Sequence, residues 1–192
     1  MNAIVETAVS MARGTALPAP TSPDTCAIRV KLAVSPWEQA GARQLRREVF
    51  CTEQALFERD DLDAIDAHAV LIVALRETEA GPEVIGTVRI HMSEPGVWHG
   101  SRLAVARHAR RIGNIGSCLI KLAVSTAHAR GCHTFLAEVQ PQNVTLFRRL
   151  HWQSLCDVEA YGVVHRLMQA DLSYYPPNAV GELDLAPPRS TS

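Results

Sequence analysis

The chain is 192 residues long, 47% hydrophobic and 20% charged, with 19 Lys and Arg against 20 Asp and Glu and a formal charge of -1. That length suits one domain with loose ends, burying roughly two-thirds of its unfolded surface. The apolar fraction excludes a disordered chain, the near-zero charge argues against bulk nucleic acid as main partner, and no stretch approaches the roughly 20 apolar residues of a membrane span.

Residues 1–24 carry neither the positive start nor the apolar run of a secretory signal. Within them Leu17-Pro18-Ala19-Pro20-Thr21-Ser22-Pro23 can hold neither a helix nor a central strand, because proline lacks a backbone donor. A flexible leader on a cytoplasmic protein is expected. Ile28, Val30, Leu32 and Val34 alternate with polar partners, the period-two mark of a strand over 26–34. Ser35 caps and Pro36 opens a helix whose Ala42, Leu45, Val49 and Leu56 make one apolar stripe, with Arg43, Arg46, Arg47 and Glu48 toward water. The acidic run Asp60, Asp61, Asp63 and Asp66 reads as a solvated connector or, less often, as the lining of a pocket for a cationic amine. Strands are expected over 69–75 and 84–92, joined at Gly81-Pro82, and over 97–105 after the turn Glu94-Pro95-Gly96.

A basic loop, Arg107 to Gly113, leads into a helix over 114–130, striped by Ile115, Leu119, Leu122, Ala123 and Thr126 and stopped by Gly131. A strand over 135–139, a short helix over 142–150 and two closing strands between Trp152 and Met168 follow. The order β-α-β-β-β-α-β-α-β-β predicts an α+β domain over 25–175, with a flexible tail over 176–192. The cysteines, Cys26, Cys51, Cys118, Cys132 and Cys156, are odd in number and lack a C-x-x-C pair. Neither a disulfide scaffold nor a metal site is expected; each reads as a small buried hydrophobe.

Chemistry is concentrated in a strand, a basic glycine loop and a helix: Ser101 to Val105, Arg110 to Gly116, then the striped helix. A helix start presents unpaired N–H groups and a partial positive charge. Glycine lets backbone approach a phosphate, and Arg110 and Arg111 add mobile cationic donors. The combination can hold a pyrophosphate. It is neither a Walker loop nor G-x-G-x-x-G, and a glycine turn beside two solvated arginines would read the same.

Arg111-Ile112-Gly113-Asn114-Ile115-Gly116, followed by Ser117 to Ile120 and by Ala127-His128-Ala129-Arg130-Gly131-Cys132, resembles the acetyl-CoA motif of the GNAT N-acetyltransferases, Gln/Arg-x-x-Gly-x-Gly/Ala. Arg111 leads, Asn114 replaces the first glycine and Gly116 supplies the second. Leu103-Ala104-Val105 resembles the fourth-strand segment that pairs with pantetheine in that superfamily. Val139 to Asn143 and Phe147 to Trp152 resemble the loop and short helix after the fifth strand. Val49-Phe50-Cys51-Thr52-Glu53-Gln54, with Asp63, Asp66 and His68, looks like the opening of a branch that includes acyl-homoserine-lactone-synthase relatives. Gly100 to Val105, Ala137 to Gln140 and Met168 to Leu172 are similar to the nitrogen-starvation-associated N-acetyltransferases.

The resemblance implies a mixed, mostly antiparallel sheet with a splayed parallel pair at its centre and helices on both faces. It implies an enzyme passing an acyl group from acetyl-CoA, or another acyl-CoA, to a small amine by direct attack in a ternary complex, with a homodimer compatible. The implied cofactor contacts are Leu103, Ala104, Val105, Arg110, Arg111, Ile112, Gly113, Asn114, Ile115, Gly116, Ser117, Asn143 and Phe147. His99 falls where some members keep a glutamate base, and an ordinary imidazole pKa of about 6.5 suits proton removal. Glu138 could act through water. A surface-strand histidine beside Trp98 and a solvated carboxylate fit the same residues. Phe147 stands at the usual tyrosine acid, and a phenyl ring gives no proton, which leaves open a CoA-binding sensor with little catalysis.

Overall fold

A computed structural model of the chain describes residues 28–112, 114–160 and 162–185. The expected leader over 1–24, Cys26 and the last residues of the tail, 186–192, lie outside them. Strands β1 (Ile28–Leu32), β2 (Val70–Thr78), β3 (Gly81–Glu94), β4 (Val97–Val105), β5 (Thr134–Val139), β6 (Trp152–Ala160), β7 (Val163–Ala170) and β8 (Glu182–Leu185) make one sheet in the order β6-β7-β5-β4-β3-β2-β1-β8. Every neighbouring pair is antiparallel except β4 and β5, which are parallel. Helices α1 (Pro36–Arg47), α2 (Ile115–Ala129) and α3 (Val144–Arg149) lie against it. The fold is the mixed α+β sheet expected. Among the described residues no helix is long and apolar enough to cross a membrane, and no group of three His, Cys, Asp or Glu is placed to hold a metal.

The period of two in β2 separates the two faces. Ile72 and Ala74 pack with Leu119, Leu122 and Ala123 of α2, whereas Val73 and Leu75 pack with Ala42 of α1. Gly86 on β3 lets α2 come close, since a Cβ there would lie 2.9 Å from Leu119 Cδ1 and 3.0 Å from Ile115 Cγ2. At the start of α1, Glu38 reaches back to accept from the Ser35 N–H at 2.9 Å, closing the first turn. The helix runs on into a π-turn over Glu48–Glu53, in which Gln54 N donates to Val49 O at 3.0 Å; Leu56 lies beyond it.

Three expectations are corrected. Arg46 does not face water but is 0% exposed. The tail is not wholly loose, because β8 pairs with the free edge of β1. Its path is set at Asn178, whose Oδ1 accepts from Gly181 N at 2.9 Å, and at Gly181, whose φ of +72° and contact with the Leu32 side chain leave no room for a Cβ. Cysteine burial is uneven: Cys132 is buried, Cys51 and Cys118 are half-buried, and Cys156 is exposed on edge strand β6.

Candidate functional site

The parallel pairing of β4 with β5 stops at Gly100 opposite Ala137, while β4 continues to Val105. Against β3, Arg89 pairs with Ser101 but Thr87 pairs with Ala104, so β4 carries a bulge there, with Arg102 at φ +54°. The bulge turns the end of β4 away from β5 and opens a V. One cavity, about 460 Å³, lies between Leu103, Ala104 and Val105, the mouth of α2 from Asn114 to Ser117, and Gln142, Asn143 and Leu146 on the β5 side. The N–H groups of Ile115, Gly116 and Ser117 precede any possible carbonyl partner within α2, and Asn114 makes no side-chain cap bond. A Cβ on Gly116 would meet nothing within 4 Å, so the space before these donors is open.

Arg110 lines this cavity, but its guanidinium is engaged: Nη2 is 2.6 Å from Glu53 Oε2 and Nε donates to Val105 O at 3.0 Å. Arg111 is exposed and Ile112 packs against the core; neither is in the wall of this cavity or of the second one beside it, and Gly113 lies outside the described residues. The second cavity, about 370 Å³, shares Gln54, Leu103, Gln140 and Asn143 with the first, so the two meet at the V. Gln140 Nε2 donates to Gln54 Oε1 at 3.1 Å across that junction. Phe147 belongs to the second cavity alone; it is 6% exposed, with its ring edge-on to Trp152 at 4.9 Å.

His99 and Glu138 are both in the wall of the second cavity. The residue missed by sequence reasoning is His91, which pairs with His99 across β3 and β4, their rings stacked at 5.4 Å. Burial pushes the His91 imidazole down to about 4, with His99 and Arg89 adding to the effect; among the described residues its buried Nδ1 has no hydrogen-bond partner. Burial also lowers His99, opposed by the charges of Glu138 and Glu94. Both rings are therefore neutral at pH 7 and keep a basic lone pair. A histidine depressed in the fold leaves the unfolded chain to bind the proton first. His91 thus removes stability as pH falls from about 6.5 to about 4. Urea midpoints measured across that window should fall less steeply in His91→Gln; an unchanged slope would contradict the depressed imidazole.

The acidic run is solvated at Asp60, which is exposed beside Arg47, but Asp61, Asp63 and Asp66 are held by arginines, and none of the four is in the wall of either cavity. Asp61 is 1% exposed and accepts from Arg46 Nε at 2.8 Å; Asp66 accepts from Arg46 Nη2 at 3.0 Å and Arg89 Nη1 at 2.7 Å. Asp63 accepts from Arg89 Nη2 at 2.9 Å, and Arg102 reaches Asp61 Oδ2 at 2.9 Å with its guanidinium 4.7 Å from the Phe57 ring centre. Arginine charges match aspartate charges, so no free negative field is left to select a cationic amine. Burial opposes ionisation of Asp66, yet Arg46, the Asp63 N–H and Arg89 hold its carboxyl well below the usual range. The cluster anchors Arg102 in its left-handed conformation, and with it the bulge that opens the V.

A parallel pair that parts beside a helix mouth is a restrictive arrangement, and known proteins of similar fold are found. The chain matches the acetyltransferase (GNAT) family over residues 31–152, a span that includes the V, His99, Glu138 and the α2 mouth. A search of curated proteins finds no match. Among solved structures it is similar to Escherichia coli ElaA, at 18% identity and a TM-score of 0.62, over 75% of this chain and 98% of that one. An acyl-CoA N-acyltransferase from Pseudomonas aeruginosa is similar at 18% identity and a TM-score of 0.62, over 74% and 97%. The AHL synthase LasI is similar at 12% identity and a TM-score of 0.57, over 76% and 89%. With the family match spanning the strands, the bulge and the helix that build the site, the chain belongs to the acetyltransferase (GNAT) family.

Proposed function

We propose that the chain is an acyl-CoA-dependent N-acyltransferase that acylates the amine of a small molecule by direct attack in a ternary complex. The observation that carries this reading is the meeting of the two cavities at the V, one ending on open helix N–H groups and the other walled by neutral imidazoles. In this reading the β4 backbone from Leu103 to Val105 receives the pantetheine arm. Asn114 to Ser117, with Arg110, Arg111, Ile112 and Gly113, take the diphosphate, which suits donors at a helix start. Asn143, in the walls of both cavities, and Phe147, in the wall of the second, are placed near the thioester in this reading.

In the transfer a bond forms between the amine nitrogen and the carbonyl carbon while the carbon–sulfur bond breaks. One amine proton passes to His99, beside Glu138, and the departing sulfur takes a proton from water. A positioned base contributes about 10²–10⁴-fold, so His99→Ala should lower turnover by about a hundredfold with little change in CoA affinity. Wild-type turnover in that variant would remove His99 as the base.

The reading is tested by incubating the protein with acetyl-CoA and an amine panel while following free thiol. Amine-dependent thiol release supports it; a melting temperature and Ile115–Ser117 amide signals untouched by saturating CoA overturn it. A second reading, a CoA-binding sensor, is favoured by Phe147, whose buried ring offers the thioester no proton. CoA binding without amine-dependent thiol release would establish that reading instead.

A further inference from the structure

His165 stands on β7 one step beyond the last β5–β7 pair, Val139 with Arg166. It is 5% exposed, and it belongs to the wall of the second cavity. Its Nδ1 is 2.9 Å from Val163 O. A carbonyl oxygen only accepts, so the neutral ring carries its proton on Nδ1 and keeps the lone pair on Nε2. Among the described residues Nε2 makes no hydrogen bond. A buried acceptor is costly to leave unmet, so one in a cavity wall suits an N–H brought by a ligand. Strand register sets this histidine beside the two groups assigned to the transfer. His99 pairs with Leu136, and Leu167 pairs with Glu138. Counted by twos from those pairs, His99, Glu138 and His165 share one face of the sheet, with Glu138 diagonal to each histidine.

Glu138 is exposed, its charge is felt at His99, and among the described residues it is in no salt bridge. The negative charge that the acidic run does not supply therefore stands here, between two imidazoles. One carboxylate and two imidazole lone pairs match the three N–H groups of a primary ammonium. Nearby the wall is apolar. Leu56, Phe57 and Ile65 line the same cavity and are half-buried, so they keep surface open to a ligand. The Arg–Asp cluster holds them in place: Arg102 lies over the Phe57 ring, and Ile65 N donates to Asp63 Oδ1 at 3.0 Å. Arg89 and Arg102, the arginines of this wall, are engaged by aspartates, so a ligand carboxylate would meet only Glu138. We propose that the acceptor is a primary amine with an aryl or alkyl body and no carboxylate, its ammonium end received by Glu138, His99 and Nε2 of His165. The inference rests on the transferase reading above. His165 makes and breaks no bond. Of the three ammonium protons one passes to His99, and one is released to water as the carbon–sulfur bond breaks and the sulfur is protonated. The third stays on the amide nitrogen, held by His165.

Titration calorimetry of the full chain in saturating CoA, with 2-phenylethylamine, its N-methyl derivative and free phenylalanine, tests the proposal. The N-methyl compound lacks one N–H and phenylalanine brings a carboxylate beside Glu138, so each should bind about tenfold more weakly than the primary amine. His165→Leu should cost 2-phenylethylamine about tenfold in affinity and bring the primary-to-secondary ratio close to one, with CoA affinity unchanged. His165→Gln, whose amide oxygen can accept in place of Nε2, should restore most of the ratio, which a merely structural role would not do. If His165→Leu does not fold, Glu138→Gln at its exposed position reads the same site and should weaken the primary amine about tenfold. An unchanged ratio in folded His165→Leu, or unchanged affinity in Glu138→Gln, overturns the inference. So do three ligands bound alike, or none bound, by protein that binds CoA, and the transferase reading then stands. No binding of CoA removes that reading, and the inference with it.

Discussion

Replacing Arg46 by Met should lower the free energy of unfolding by about 3–5 kcal/mol, the range for removing one partner of a buried charge cluster. Arg46 is fully buried and donates to both Asp61 and Asp66, so the variant leaves one aspartate charge uncompensated in a site that water does not reach. Arg46→Lys should fall between, because an ammonium is a point charge and cannot serve two carboxylates with a planar fork. Acid supplies the signed control. A carboxyl held below its unfolded value of about 3.9 contributes stability that is full above that pH and is lost as pH falls through the folded value. The gap between wild type and Arg46→Met should therefore narrow below about pH 4, where the stranded carboxylate is protonated. Urea unfolding at pH 7 and pH 3.5 reads both effects. A loss under about 1 kcal/mol at pH 7 would mean that the cluster does not hold the fold together.

Arg46 also shows how far the sequence could be read. Ala42, Arg46 and Val49 are four and three residues apart and share one helical face, so the position is core by periodicity. Only the charge of the side chain argued for water, and the partners that overrule it sit in Asp61 and Asp66, on a segment with no regular period. His91 was legible in the same indirect way. A turn at Glu94-Pro95-Gly96 folds β3 back on β4 and brings residue 91 opposite residue 99. Strand β8 has its own alternation in Leu183 and Leu185, but it is only four residues long and lies inside the tail over 176–192 that reads as flexible. The central strands and α2 were plain because period and stop signals agree there. The V itself was not a matter of period. It follows from one extra residue in β4, at Arg102, a non-glycine residue whose left-handed φ is stabilised by contacts remote in sequence. Arg111 marks the opposite limit: the motif places it in the loop but says nothing about which way an exposed side chain turns.

Gly116→Glu should weaken CoA binding by more than a hundredfold, about 2.7 kcal/mol, while leaving the free protein as stable as wild type or more so. A side chain at Gly116 enters open space and so costs no packing, and glycine inside a helix is about 0.8–1 kcal/mol less favourable than a good helix former. A carboxylate in the first turn also meets the positive end of the helix dipole, adding about 0.3–1 kcal/mol. The same carboxylate occupies the space in front of the Ile115–Ser117 N–H groups and repels a diphosphate there. Gly116→Ala separates the terms: it keeps the gain in helix stability without the charge, so its CoA affinity should lie between the other two. Stability and affinity move in opposite directions, and partial unfolding cannot imitate that pattern, since it would lower both. If Gly116→Glu is folded and binds CoA as wild type does, the diphosphate does not sit at the mouth of α2, and the direction in which the donor enters the V must be reassigned.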